Sequence, residues 1–448
     1  MRLMYPRCAA IDVHKKTAVV CRRQTEANGT VKSEVKTFGT TTPELLQMMD
    51  WLTEWEVTTV AIESTAEYWK PVFNLLEGEF EVILVNAKHV KQVPGRKTDV
   101  KDAEWLAELL SYGLLKASYI PAKPQRDLRD LTRHRVTLVQ ERARVVNRLQ
   151  KVLEHANIKL ASVATDIMGI SGRQMLAAIV DGETNAAAMA DLAKGRMRNK
   201  MEALEKALTG VVRPHHRFML AEHLAHIDFL DEQVERVSDK IGQQIETMSQ
   251  STEPDERPPA GGAATLGWAE SVELLDSAPG VDKKAAEIVL AEMGIDMTQF
   301  DTADHLTAWA GLAPGNNQSG SKRGKAKTRE GNRNLRQIMV QVAWAAVRTK
   351  GSYAQALYRR LAGRRGKKRA IIAVARTLLS SFWYMLTRGE AYRELGGDYF
   401  DQRRKDVKVN VLTKQLEKLG YAVQLEPIKP QLVPVWPTFI FEGESHLF

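Results

Sequence analysis

Four carboxylates in the first quarter of the chain stand where they could hold metal ions. Asp12 closes an apolar, β-branched run, RCAAIDV (7–13), and Glu63 falls near the end of a second, VTTVAIES (57–64). Asp99 and Asp102 are three residues apart, one helical turn, and share a face at the start of DVKDAEWLAELL. Hard oxygen donors of this kind suit magnesium (Mg²⁺), and they accept manganese (Mn²⁺) as well. Two such ions held about 4 Å apart stabilise both the attacking and the leaving oxygen of a phosphoryl transfer. Taken singly, each acid has a plainer reading: a strand-end Asp often serves a turn, and Asp99 after Thr98 suits a helix cap. The ordered set of four is what points to metal-dependent phosphoryl chemistry.

The elements that must position these acids follow from hydropathy period. RCAAIDV, TAVVCRRQ, VKSEVKTF, VTTVAIES and EVILVN read as strands, and PELLQMMDWLTEW, EYWKPVFNLLEGE and DAEWLAELLSYG as helices. The order is three strands in a meander, then helix, strand, helix, strand, helix, which is that of ribonuclease H. In that arrangement the strands ending in Asp12 and Glu63 are neighbours, so both carboxylates reach one sheet edge. An α/β domain is thus expected over 1–122.

Beyond it, 123–160 and 217–248 carry Leu and Val at helical spacing amid dense charge, with an Ala- and Met-rich stretch between them. This predicts a helical or coiled-coil spacer over 123–250, either a dimerisation element or a plain two-helix hairpin. Residues 251–267 (STEPDERPPAGGAATLG) read as a linker, 268–395 as a second, mainly helical domain, and 396–448 as an extension of unassigned role.

IDVHKK, AIESTAEYW and GRKTDVKDAEWLAELL resemble the three acidic motifs of the DEDD-type insertion-sequence transposases, which include the Piv and MooV DNA invertases. The resemblance implies a RuvC-like N-terminal domain with Asp12, Glu63, Asp99 and Asp102 as metal ligands. It also puts His14, Lys15 and Lys97 beside the metals or the phosphates.

In the second domain, LLDSAPGVDKKAAEIVLAEMG (274–294) reads as a helix-hairpin-helix, whose turn can present backbone N–H groups to a phosphate. A basic, glycine-interleaved stretch follows, with Lys322, Arg323, Lys325, Lys327, Arg329, Arg333 and Arg336, and is expected to be a flexible loop that tracks DNA phosphates. Arg364, Arg365, Lys367, Lys368 and Arg369 form a second basic cluster. The stretch GLAPGNNQSGSKRGK, with GNRNLR after it, is similar to the C-terminal transposase domain of the same family, which places the family's nucleophilic serine at Ser319. Ser321 is the competing hydroxyl. A serine hydroxyl needs its proton removed or its oxygen polarised, and no histidine lies near it in sequence. Metals held by the acidic cluster would supply that activation if the two domains meet.

The resemblance covers about 7–125 and 270–390. It implies a site-specific DNA recombinase that forms a covalent serine–DNA link, works as a homo-oligomer (dimer or tetramer), and is guided by a structured non-coding bridge RNA that pairs with donor and target DNA. The composition is compatible: Lys plus Arg number 64 against 55 Asp plus Glu, net +9, which favours a polyanionic partner. Two cysteines and the lack of an apolar run fit for a signal peptide or membrane span predict a cytoplasmic protein without a membrane partner. The competing functions are a RuvC-like hydrolytic nuclease, in which water attacks, and a non-enzymatic nucleic-acid-binding protein. An actin-type ATPase is excluded by His14, Lys15 and Lys16 standing where a glycine-rich phosphate loop should be.

Overall fold

The computed structural model describes residues 3–64, 66–85, 99–250, 266–315, 318–319, 322–323, 328, 330–403 and 405–425. The chain divides into two compact units, Met1–Thr252 with Asp296–Asp301, and Glu253–Ile295 with Thr302–Phe448.

The first unit opens on a five-stranded mixed sheet, β1 (Arg7–Val13), β2 (Thr17–Thr25), β3 (Val31–Gly39), β4 (Thr59–Glu63) and β5 (Glu81–Val85), in the order β3-β2-β1-β4-β5. β1, β2 and β3 pair antiparallel, whereas β4 runs parallel to both β1 and β5. Helices α1 (Thr42–Thr53), α2 (Trp69–Leu76) and α3 (Asp99–Ser111) complete the layers. From Cys8 to Ile11 the central strand is apolar because both its faces are covered. Ala9, Ile11 and Val13 join the core made with α1 and α2, while Cys8 and Ala10 join Ala61 and Val85 in a second core closed by Ala103, Leu106, Ala107 and Leu110 of α3. The edge strand β3 carries Lys32, Ser33, Glu34, Lys36 and Thr37 and is largely exposed, a charged edge that discourages further pairing.

Next, α4 (Lys123–His155) runs out and α9 (Pro214–Gln250) returns. Val211 N–H donates to Ala156 O near the far end of the hairpin, and Arg142 is paired with Asp231 further down, so the two long helices are antiparallel. Four short helices, α5 (Leu160–Val163), α6 (Ile170–Asp181), α7 (Ala186–Asp191) and α8 (Met201–Leu208), cap the hairpin. Leu149, Leu153, Met175, Leu176, Leu204 and Ile227 sit in a core of their own there. Within one chain the two long helices of the spacer form a hairpin.

The second unit is mainly helical: α10 (Trp268–Asp276), α11 (Lys283–Met293), α12 (Ala303–Trp309), a short hairpin β6 (Gln318–Ser319) and β7 (Lys322–Arg323), α13 (Arg333–Ala346), α14 (Tyr353–Arg365) and α15 (Lys367–Arg388). In the C-terminal extension α16 (Tyr399–Arg403) and α17 (Lys405–Lys418) form. Among the described residues one helix, α15, is long and apolar enough to cross a membrane, and its apolar side, including Ile371, Val374, Leu378 and Phe382, is buried in the unit.

Candidate active site

Asp12 and Glu63 are brought together by strand register. Ile11 pairs with Ile62 across the parallel β1–β4 ladder, so Asp12 and Glu63, one residue on in each strand, end side by side. Alternation puts them on one face: Cys8 and Ala10 precede Asp12 by even steps, Ala61 precedes Glu63, and all three precursors belong to the core under α3. The N-terminus of α3 lies at the same end. Its last residue, Ser111, accepts hydrogen bonds at its carbonyl from Met4 and Tyr5 N–H before β1, and Cys8 Sγ donates to Ala107 O at 3.6 Å. From Cys8 to Asp12 the strand advances by about 13 Å, and from Ala107 back to Asp99 the helix spans about 12 Å. The start of α3 therefore stands level with Asp12.

Asp12 is buried, with a side chain only 10% exposed, and His14 Nε2 lies 3.4 Å from its Oδ2. Glu63 and Asp102 are half-buried. The side chain of Asp99 lies outside the described part of the structure, as does Lys97. A divalent cation suits this edge by donor chemistry, hard carboxylate oxygens at adjacent strand ends with the start of an acidic helix beside them. Among the described residues, no group of three or more His, Cys, Asp or Glu is close enough to make a ligand shell. Lys15 is exposed in the β1–β2 turn, its carbonyl accepting from Thr40 Oγ1 at 3.0 Å.

In the second unit, Ser319 lies in the β6–β7 hairpin, paired with Lys322 while Gln318 pairs with Arg323. The base of this basic segment is pinned. Pro314 bridges Thr328, and Asn332 N–H donates to Trp309 O at 3.1 Å. Ser321, Lys325, Lys327 and Arg329 lie outside the described residues.

Comparison with known proteins identifies both regions. Residues 9–158 match the transposase profile DEDD_Tnp_IS110, and residues 272–359 match the transposase family IS116/IS110/IS902. The two matches together take in more than half of the chain. This chain belongs to the IS110 family of transposases. It is 26% identical to the transposase-named protein y4rJ of Sinorhizobium fredii over 315 residues, 65% of this chain and 67% of that one. It is 35% identical over 130 residues to the transposase for insertion sequence element IS1111A of Coxiella burnetii, covering 28% of this chain and 35% of that one. Against the 43.6 kDa protein of insertion element IS110 from Streptomyces coelicolor the identity is 34% over 120 residues, 27% of this chain and 29% of that one.

The structure of the transposase changes one expectation for the basic stretch. Arg333 and Arg336 do not belong to a flexible loop: they occupy the first turns of α13, capped by Asn332, whose Oδ1 accepts from the N–H groups of Asn334 and Leu335. The apolar period Leu335, Ile338, Met339 and Val342 then packs inward, which extends the helix back to the cap. Both arginines thus add charge to a helix N-terminus that is already positive. Arg364 and Arg365 end α14, and Lys367, Lys368 and Arg369 begin α15; all five are exposed around the corner at Gly366, whose φ of +80° suits glycine.

The turn between α10 and α11 is also more packed than its sequence suggests. At Gly280, φ is +78° and a Cβ would meet the backbone of Val342 and Ala346 on α13. Val281 N–H is used within the turn, donating to Ala278 O at 3.2 Å. An open groove of about 400 Å³ remains beside it, lined by Val281, Asp282, Ile338 and Gln341 among others.

Glu292 is a structural residue with no local signal in the sequence. Wholly buried on α11, its Oε2 accepts from Asn332 Nδ2 at 2.7 Å, which ties α11 to the cap of α13 where the basic segment re-enters the fold. Asn before a helical period signals a cap; nothing local signals its buried partner.

Proposed function

We propose that this transposase cuts and rejoins DNA at specific sites through a covalent link to Ser319, with Asp12, Glu63, Asp99 and Asp102 as a metal-binding set. The observation that carries the reading is the in-register placement of Asp12 and Glu63 at adjacent strand ends, level with the start of α3. The antiparallel β1–β3 meander joined to parallel β4 and β5 supports a RuvC-like assignment of this sheet.

In the reaction, the Ser319 hydroxyl loses its proton and its oxygen attacks a backbone phosphorus. A phosphoserine ester forms, the bond from phosphorus to one deoxyribose oxygen breaks, and that oxygen takes up a proton. Attack by a hydroxyl of another strand end reverses the step, restoring the serine and joining the new pair of strands. When bound, a divalent ion, Mg²⁺ or Mn²⁺, supplies Lewis-acid stabilisation of phosphoryl oxygens. Asp12 and Glu63 would be the residues that hold such an ion, and the depth of Asp12 restricts water around it.

Lys322 and Arg323, cross-strand from Ser319 and Gln318, place positive charge along the phosphates flanking the attacked one. Lys325, Lys327, Arg329, Arg333, Arg336 and the cluster at Gly366 extend that track, with Lys15 and Lys97 serving the carboxylate edge. Donor and target DNA are the substrates. A structured guide RNA, a homo-oligomeric assembly and a cytoplasmic setting complete the proposal, on the family resemblance.

The test is DNA cleavage by the full chain, with and without Mg²⁺, in the wild type, Asp12→Asn and Ser319→Ala. Loss of cleavage in both variants and on chelation supports the reading. Cleavage that persists in Ser319→Ala but not in Asp12→Asn would mean hydrolysis by water and overturn the role of the serine.

A further inference from the structure

We propose that the hollow at the C-terminal end of α15 is a binding site for a single unpaired nucleotide. Gly389, with φ of +67°, ends α15 and turns the chain back, so that residues 390–393 return beside the helix. Tyr392 N–H donates to Ser277 Oγ at 3.2 Å, which fixes the return against the segment that follows α10. A cavity of about 260 Å³ lies between the helix and the returning segment. A smaller one of about 110 Å³ adjoins it at Ser381, Tyr392 and Arg393. Ser381, Tyr384, Met385 and Arg388 follow one another at steps of three and four residues, so one face of α15 forms the floor.

The groups around the hollow are those a nucleotide needs. The Tyr384 ring is 46% exposed, and the Arg388 guanidinium lies 5.0 Å from its centroid. Unstacked bases lie against aromatic rings and guanidinium planes of this kind. Arg388 and Arg393 stand in no ion pair among the described residues, so both are available to a phosphodiester. Ser381 Oγ donates to Thr377 O at 3.1 Å, which leaves its lone pairs to accept, and the exposed Glu390 adds a carboxylate. Both can take protons from the exocyclic amino group of a base. A paired base cannot enter such a recess, because its faces are covered within the stack. The exposed cations around Gly366 mark the other end of the same helix. Over the 22 residues of α15 the two ends are about 33 Å apart, close to one turn of a duplex. A duplex whose phosphates lie on that corner can thus bring a bulged or terminal nucleotide to Tyr384. The inference rests on nucleic acid being the partner of this unit, and not on the roles given to Ser319 or the carboxylates.

The test titrates the full chain into a perfect duplex, the same duplex with one unpaired 2-aminopurine, and the same duplex with an abasic unit at that place. The set is made in DNA and again in RNA. Wild type should bind the 2-aminopurine probe roughly tenfold more tightly than the abasic one, as stacking of one base implies, and should quench its fluorescence. Tyr384→Ala should lose both the preference and the quenching, and Tyr384→Phe should keep both; thermal melts show that the variants are folded. Arg393→Ala should weaken the probe with the unpaired base more than the perfect duplex. The set in which the preference appears, DNA or RNA, names the source of the nucleotide. Equal affinity for the 2-aminopurine and abasic probes in both sets, or a preference that persists in folded Tyr384→Ala, would overturn this site alone. A chain that binds none of the duplexes would overturn it together with nucleic acid as the partner.

Discussion

Asp12 and Glu63 end neighbouring parallel strands one residue beyond the Ile11–Ile62 pair, so the two acids share an edge and a face of the sheet. Neither can move relative to the other without slipping the β1–β4 register, and a one-residue slip would turn one of them to the opposite core. Glu63→Gln should keep the fold, with a melting temperature close to that of the wild type, but, with Glu63 in its proposed role as a metal ligand, lower DNA strand transfer by roughly a hundredfold or more, since such a loss takes away several kcal/mol of transition-state stabilisation. A strand-transfer assay beside a thermal melt checks both halves.

The Asn332–Glu292 bond makes a stability prediction. Asn332→Ala removes the cap of α13 and one hydrogen bond to a buried carboxylate, costing about 2 kcal/mol in urea unfolding. Asn332→Ser keeps a capping oxygen and should be destabilised less. Equal destabilisation in the two variants would show that the hydrogen bond to buried Glu292 contributes and the cap does not.

Gly331 is required by close approach. A Cβ there would lie too near Gly311 N and Trp309 O, backbone atoms that cannot step aside. Gly331→Ala should destabilise by about 2 kcal/mol, whereas Gly363→Ala, with open space around it, should leave the melting temperature within a degree or so or raise it slightly.

The cluster around Gly366 is expected to bind phosphates. Replacing Arg364, Arg365, Lys367, Lys368 and Arg369 by Ala should weaken DNA of any sequence alike, and the slope of log affinity against log salt should fall by roughly one for each phosphate that is no longer neutralised. Titrations at several salt concentrations measure this directly; an unchanged slope would remove the cluster from the interface.

Burial pushes the thiols of both Cys8 and Cys21 up to about 12. The folded protein thus keeps these protons while the unfolded chain releases them near the ordinary thiol value, so this contribution to stability is whole below about pH 8.5 and declines as pH rises through that value toward 12. Alkylation by iodoacetamide at pH 8 should be slow in the native protein and fast in denaturant.

Much of this architecture is legible in the sequence, for physical reasons. A strand covered on both faces must be mostly apolar along its middle, which is why RCAAIDV and VTTVAIES announce themselves and why the acids near their ends stand out. Periodicity alone could not say whether 123–160 and 217–248 pair within one chain or between two, because a seam of Leu and Val is the same in both cases; within the chain, the short helices between them and the Arg142–Asp231 pair hold the two together as a hairpin. Arg333 and Arg336 read as loop because glycines and cations surround them, and only the cap at Asn332 with the buried period behind it makes them helical. Glu292 was invisible because its partner is forty residues away and its burial is tertiary.

The most direct measurement is mass spectrometry of the protein after reaction with DNA and Mg²⁺, quenched by denaturation and digested with nuclease and protease. A nucleotide is expected on the peptide carrying Ser319, absent from Asp12→Asn and from Ser319→Ala. Cut DNA with no modified peptide, or a nucleotide on Ser321 that survives Ser319→Ala, would contradict it.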